Sequence, residues 1–91
     1  MQSSNLFQLI QTFSVTEQKS AGRFLESPYF NQREDIAQLF ELLCREKSPE
    51  KNLIWTLLYP GEDYDDTKLR LLMSYLNRLL ETFLLAEQQR N

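Results

Sequence analysis

Asp65-Asp66-Thr67-Lys68-Leu69-Arg70-Leu71-Leu72-Met73-Ser74-Tyr75-Leu76-Asn77-Arg78-Leu79-Leu80-Glu81-Thr82-Phe83-Leu84-Leu85-Ala86-Glu87-Gln88-Gln89 lies in the longest part of the chain free of Gly and Pro. Leu69, Leu72, Leu76, Leu79, Phe83 and Ala86 recur at steps of three and four, which predicts one long helix burying one stripe. Asp65 is placed to cap its start, with Tyr64 and Leu69 spaced as a hydrophobic staple. Glu62, Asp63, Asp65 and Asp66 crowd the end of the helix where the dipole is positive. Near its other end, Phe83-Leu84-Leu85-Ala86 are four successive residues at about 100° each, so apolar groups encircle the helix. Leu85, and Leu71 fourteen residues before it, fall on the side away from the stripe. That side has no evident cover within the chain and reads as an interface.

Working outward from this helix, four shorter ones are expected. Leu6, Phe7, Leu9, Ile10 and Phe13 suit a first helix starting near Asn5 as N-cap. Ser14-Val15-Thr16-Glu17 is a capping box, in which Ser14 and Glu17 satisfy each other's free backbone N–H groups. It opens a second helix to about Leu25, with Ala21, Phe24 and Leu25 inward and Gln18, Lys19 and Arg23 outward. Ser27-Pro28 ends it, because a residue before proline avoids the α region. Phe30 is expected to plug the core. Asn31 with Glu34 spells a further capping box, and Ile36, Leu39, Phe40 and Leu43 form the core face of a third helix, flanked by Leu42. Glu41 and Arg45 are paired four apart on its wet side. Ser48-Pro49 reads as N-cap and first position of a fourth helix burying Leu53, Ile54, Leu57 and Leu58 and stopping before Pro60-Gly61. The expected fold is all-α, a compact bundle of four short helices packed around a long C-terminal helix. It forms a single domain over residues 1–91, whole or as a segment of a longer protein.

Phe24-Leu25-Glu26-Ser27-Pro28-Tyr29-Phe30-Asn31 resembles a stretch found in small, uncharacterised all-helical bacterial proteins. The resemblance covers these eight residues and implies a single helical domain; it implies no activity.

Composition narrows the function classes. Ninety-one residues carry a net charge of −3, 42% hydrophobic residues, one Cys and no His. The acidic run Glu62–Asp66 holds four negative charges, so the remainder is slightly positive. Without His, the commonest general base and the Ser-His-Asp and Cys-His arrangements are absent. Cys44 follows core-facing Leu43 and reads as a small buried hydrophobe rather than a nucleophile. Asp63, Asp65 and Thr67 echo the first ligands of a calcium loop. Lys68 stands where that loop needs Gly, and Ser74 where it needs the bidentate Glu. No catalytic residue, metal or cofactor is therefore expected. One Cys permits no intrachain disulfide, no signal peptide is visible, and Arg70, Arg78 and Glu81 interrupt the most apolar window, so a cytoplasmic protein is expected.

Two binding classes are left. Trp55 and Tyr59 share a helix face; they either belong to the core, which the size of both side chains favours, or offer an aromatic edge to a partner. With Leu71, Leu84 and Leu85 they are the candidate contacts of a non-enzymatic protein-interaction or structural module. Such a module is expected to self-associate, as a homodimer, through the C-terminal helix. The alternative is a small DNA-binding regulator with a helix-turn-helix-like pair over residues 32–59, contacting nucleic acid through Arg45, Lys47, Lys51 and Asn52. The negative net charge weighs against it, because counterion release would contribute little.

Overall fold

The computed structural model describes residues 2–28, 33–45 and 50–89, and these form five helices: α1 (Gln2–Gln11), α2 (Val15–Glu26), α3 (Glu34–Arg45), α4 (Lys51–Leu58) and α5 (Asp66–Gln89). No strand occurs among the described residues. The fold is all-α, with α5 as its longest element. At 1.5 Å per residue its 24 residues span about 36 Å, most of the 44 Å long dimension of the molecule. α5 packs against α1, α2 and α3, while α3 touches all four other helices. The core is one continuous cluster drawn from every helix.

Local chemistry sets most boundaries. Ser14 Oγ accepts from the Glu17 N–H at 3.1 Å, and Glu17 Oε1 accepts from the Ser14 N–H at 2.8 Å, which completes the expected capping box. α2 ends where Ser27 turns extended at ψ 121° ahead of Pro28, as the steric clash of a following proline requires. Asp65 Oδ1 accepts from the Lys68 N–H at 3.1 Å and caps α5. Between α4 and α5, Glu62 N–H donates to Tyr59 C=O at 3.2 Å across Pro60 and Gly61, and Gly61 has φ +85°. Proline at the second and glycine at the third position make this a type II turn, which demands positive φ at its third residue.

Two expected boundaries shift. α1 begins at Gln2, so Asn5 lies inside the helix; the apolar stripe marks where packing starts, not where the backbone starts to coil. α4 is entered from Glu50, extended at φ −94° and ψ 146° with no side-chain cap, so the helix starts later than a Ser48 cap with Pro49 in first position would place it. Ser48, Pro49, Asn31 and Phe30 lie outside the described residues.

The buried stripe of α5 differs from the expected one in an instructive way. Leu69, Leu72, Met73, Leu76, Leu80 and Phe83 are buried, Leu79 is only partly buried and Ala86 is exposed. The expected positions repeat every 3.5 residues, the supercoil period. The two sets share Leu69, Leu72, Leu76 and Phe83; the buried one takes Met73 and Leu80 in place of Leu79 and Ala86, which turns the stripe toward Met73 and Leu80.

Candidate interaction surfaces

α4 decides which apolar groups stay outside. Ile54 and Leu58 face the core, with Leu53 and Leu57 on one flank and Trp55 and Tyr59 on the other. At 100° per residue the two flanks are nearly equivalent. The helix turns its aromatic flank inward: Trp55 is 3% exposed, whereas Leu53 and Leu57 are 44% and 47% exposed. This reverses the expectation that both leucines are buried and withdraws Trp55 as a surface contact. Size explains the outcome, since an indole removes more apolar area from water than a leucine. The type II turn completes it, because it presents Glu62 C=O to accept the Trp55 Nε1–H at 3.0 Å; a buried indole N–H without a partner would cost about 1–3 kcal/mol.

Tyr59 is half-buried and also belongs to this junction. Its ring lies 4.7 Å from the Trp55 ring, and Tyr64 meets Trp55 edge-on at 5.8 Å. Tyr64's ring contact is thus across the turn. Lys68 Nζ sits 4.3 Å from the centre of the Tyr59 ring, a favourable cation–π distance. Tyr59 OH donates to Asp35 Oδ2 at 2.7 Å, and Arg33 grips the same carboxylate through Nε at 3.2 Å and Nη2 at 2.8 Å. Burial and then the hydrogen bond to Asp35 push the Tyr59 hydroxyl up to about 12. For Asp35, burial alone would raise the carboxyl, but the hydrogen bonds from Tyr59 and Arg33 outweigh it and hold it below its usual range. Asp66 accepts from Tyr64 OH at 2.8 Å and pairs with Arg70 at 2.9 Å and Lys51 at 3.5 Å. Aromatic rings and charges here fasten α3, α4, the turn and α5 to one another; every polar group named has a partner, so the junction reads as a structural clamp.

Among the described residues, the expected nucleic-acid contacts Arg45, Lys51 and Asn52 do not gather into a cationic surface. Lys51 is turned to Asp66, Lys47 lies outside the described residues, and Asn52 is exposed, its carbonyl accepting from Thr56 Oγ1. Arg45 is exposed at the end of α3, in line with Glu41 one turn back.

On α5, Leu71 and Leu85 are 67% and 60% exposed and point away from the core. They do not touch: fourteen residues separate them by about 21 Å, and exposed Ser74, Arg78 and Glu81 lie between. Leu84 packs partly against the core, so it belongs more to the fold than to the outer face. The expected contact region is thus two isolated leucines on a polar helix back.

A different face went unread in the sequence. α2 and α3 flank an open groove of about 460 Å³, lined by Val15, Gln18, Lys19, Gly22 and Glu26 from α2 and by Ala37, Phe40, Glu41, Cys44 and Arg45 from α3. Val15 is 69% exposed. The Cys44 thiol is pushed up to about 11, by burial and then by the Glu41 carboxylate, so it is protonated at neutral pH. The signal that could have revealed this face is Gly22, a glycine in the middle of a helix, where it costs about 0.5–1 kcal/mol relative to Ala.

No described residues form a group of three or more potential metal ligands, and no described helix is long and apolar enough to cross a membrane. Compared with protein-family models, curated proteins and solved structures, the chain has no match.

Proposed function

We propose that the chain is a non-enzymatic helical protein-interaction module that associates with a second copy of itself. The observation that supports this is the apolar surface the bundle leaves outside. Val15 on α2, the adjacent pair Leu53 and Leu57 on α4, and Leu71 and Leu85 on α5 are all exposed. Burying such groups is worth about 25 cal/mol per Å², and the helices of this chain have been used up in covering one another. A protonated Cys44 thiol and a polar junction in which each named group already has a partner support the non-enzymatic reading. Light scattering with sedimentation velocity, from dilute to concentrated solution, tests the reading. Mass should rise reversibly toward twice that of the chain; a single monomeric species at every concentration would remove self-association.

A further inference from the structure

We propose that the outward face of α2, with the groove beside it, is the surface through which two copies pair about a two-fold axis. This rests on the reading of the chain as a self-associating module and names the surface that reading would use. Val15, Lys19, Gly22 and Glu26 follow one another at steps of four, three and four and so share one side of α2. Val15, Lys19 and Glu26 are exposed, and Gly22 is half-exposed. Among the described residues neither Lys19 nor Glu26 has an ion-pair partner.

Gly22 has no reason to be glycine within the monomer. Its φ is not positive, and a Cβ built on it meets nothing within 4 Å. The bare backbone does permit another helix to approach closely. A two-fold contact must also be self-complementary: where a residue of one copy meets a second residue of the other, the reverse pair is made as well. When two α2 helices cross antiparallel at Gly22, the axis falls midway between Lys19 and Glu26. Lys19 of each copy then faces Glu26 of the other, forming two equivalent ion pairs about 10 Å apart. The groove contributes Ala37, Phe40 and Cys44 as an apolar floor beside them, and its Lys19, Arg45, Glu26 and Glu41 balance to zero charge.

The back of α5 fails the same condition. The antiparallel pairing that sets Leu71 of one copy on Leu85 of the other has its centre at Arg78, so two guanidinium groups meet on the axis. Like charges brought together in an interface cost several kcal/mol. Of the two helix backs, only α2 is complementary in charge to itself.

Charge reversal tests the assignment on the full chain. Lys19→Glu, Glu26→Lys, the double variant Lys19→Glu/Glu26→Lys and Leu85→Lys are compared with wild type by sedimentation velocity across a concentration series, with thermal unfolding recorded for each. All three positions are exposed, so unfolding should change little. Each single reversal at Lys19 or Glu26 is expected to raise the dimer dissociation constant about tenfold or more. The double variant should return to within about threefold of wild type, and Leu85→Lys should leave association unchanged. A dimer indifferent to the single reversals, or one that the double variant does not restore, overturns the α2 surface while leaving self-association standing. A dimer lost in Leu85→Lys does the same and moves the contact to α5. Wild type that stays monomeric at the highest concentration overturns both readings.

Discussion

The two ends of α5 are held in different ways. At its start, Asp65 caps the helix, Asp66 takes Tyr64, Arg70 and Lys51, and Lys68 rests over the Tyr59 ring. These contacts are directional and reach α3 through Tyr59 and Asp35. At its far end aromatic rings pack together: the Phe83 ring lies 5.5 Å from Phe24 and 6.3 Å from Phe13, and Phe13 in turn lies 6.4 Å from Phe40. Hydrophobic packing is non-directional, whereas a hydrogen bond must be made at one distance and angle. The start of α5 is thus fixed in rotation and register by directional contacts, whereas the rings near its far end are fitted by packing volume. Substitutions of similar size at the two ends should therefore behave differently with pH, and neighbouring positions at the far end should behave very differently from each other.

The largest expected effect is at the junction. Trp55→Ala removes a buried indole on which Tyr59, Tyr64 and Lys68 all pack. It should cost about 3–5 kcal/mol, read as a fall in the urea midpoint. A loss below about 1 kcal/mol would mean that α4 is not anchored by its aromatic flank. Leu57→Ala, on the opposite flank of the same helix, supplies the comparison and should stay within about 0.5 kcal/mol, as exposed positions do.

That contrast also shows what was legible in the sequence. Helix number, the capping box at Ser14 and the Asp65 cap follow from local spacing, and all three are present. The orientation of α4 does not follow from spacing, because its two flanks are equivalent about Ile54 and Leu58. It was decided by the area of Trp55 and by an acceptor at Glu62, a residue seven positions away. The register of α5 was misread for a related reason: Leu79 and Leu80 are adjacent leucines, and which of them is buried depends on how the helix is rotated against α1, α2 and α3, a tertiary property. The α2 face was overlooked because it carries one apolar residue among polar ones. Its information lies in charge symmetry, to which a hydrophobic pattern is blind.

A smaller effect with a pH signature should follow from Tyr59→Phe. The ring is kept, but the hydroxyl that donates to Asp35 is lost, at a cost of about 1 kcal/mol near neutral pH. Two limbs of the pH profile can be assigned by sign. Asp35 is held below its ordinary value of 3.8, so its contribution is present above that value and disappears as pH falls through its folded value. Tyr59 moves the other way, from 10.0 to about 12, so its contribution is complete below 10 and lost as pH climbs toward 12. Cys44, raised from 9.0 to about 11, begins the alkaline decline earlier. Tyr64, raised by burial and by its hydrogen bond to Asp66, accompanies Tyr59. Urea midpoints taken against pH should show Cys44→Ala moving the onset of the decline from about 9 to about 10, a span set by the two ordinary values. Tyr59→Phe should flatten the profile between 10 and 12. An unchanged alkaline slope in Tyr59→Phe would place the Tyr59 hydroxyl away from Asp35.

The contrast between two neighbours is the sharpest test of the far end. Leu84 and Leu85 are consecutive, identical in chemistry and lie on the same helix turn. Leu84 sits about 60° from the centre of the buried stripe marked by Leu69, and Leu85 about 160° from it. Leu84 is partly buried against the core, and Leu85 is 60% exposed. Leu84→Ala should therefore cost about 1–2 kcal/mol, less than the 2–5 of a fully buried leucine. Leu85→Ala should stay within about 0.5 kcal/mol. Both are read as thermal or urea unfolding of dilute protein, so that association does not contribute. Were the stripe centred on Leu79 and Ala86, the helix would be turned toward them, and Leu84 would move outward as Leu85 moved in. Equal costs, or a larger cost at Leu85, would then be observed. The ratio of two adjacent leucines thus reports how the far end of α5 is rotated against the core.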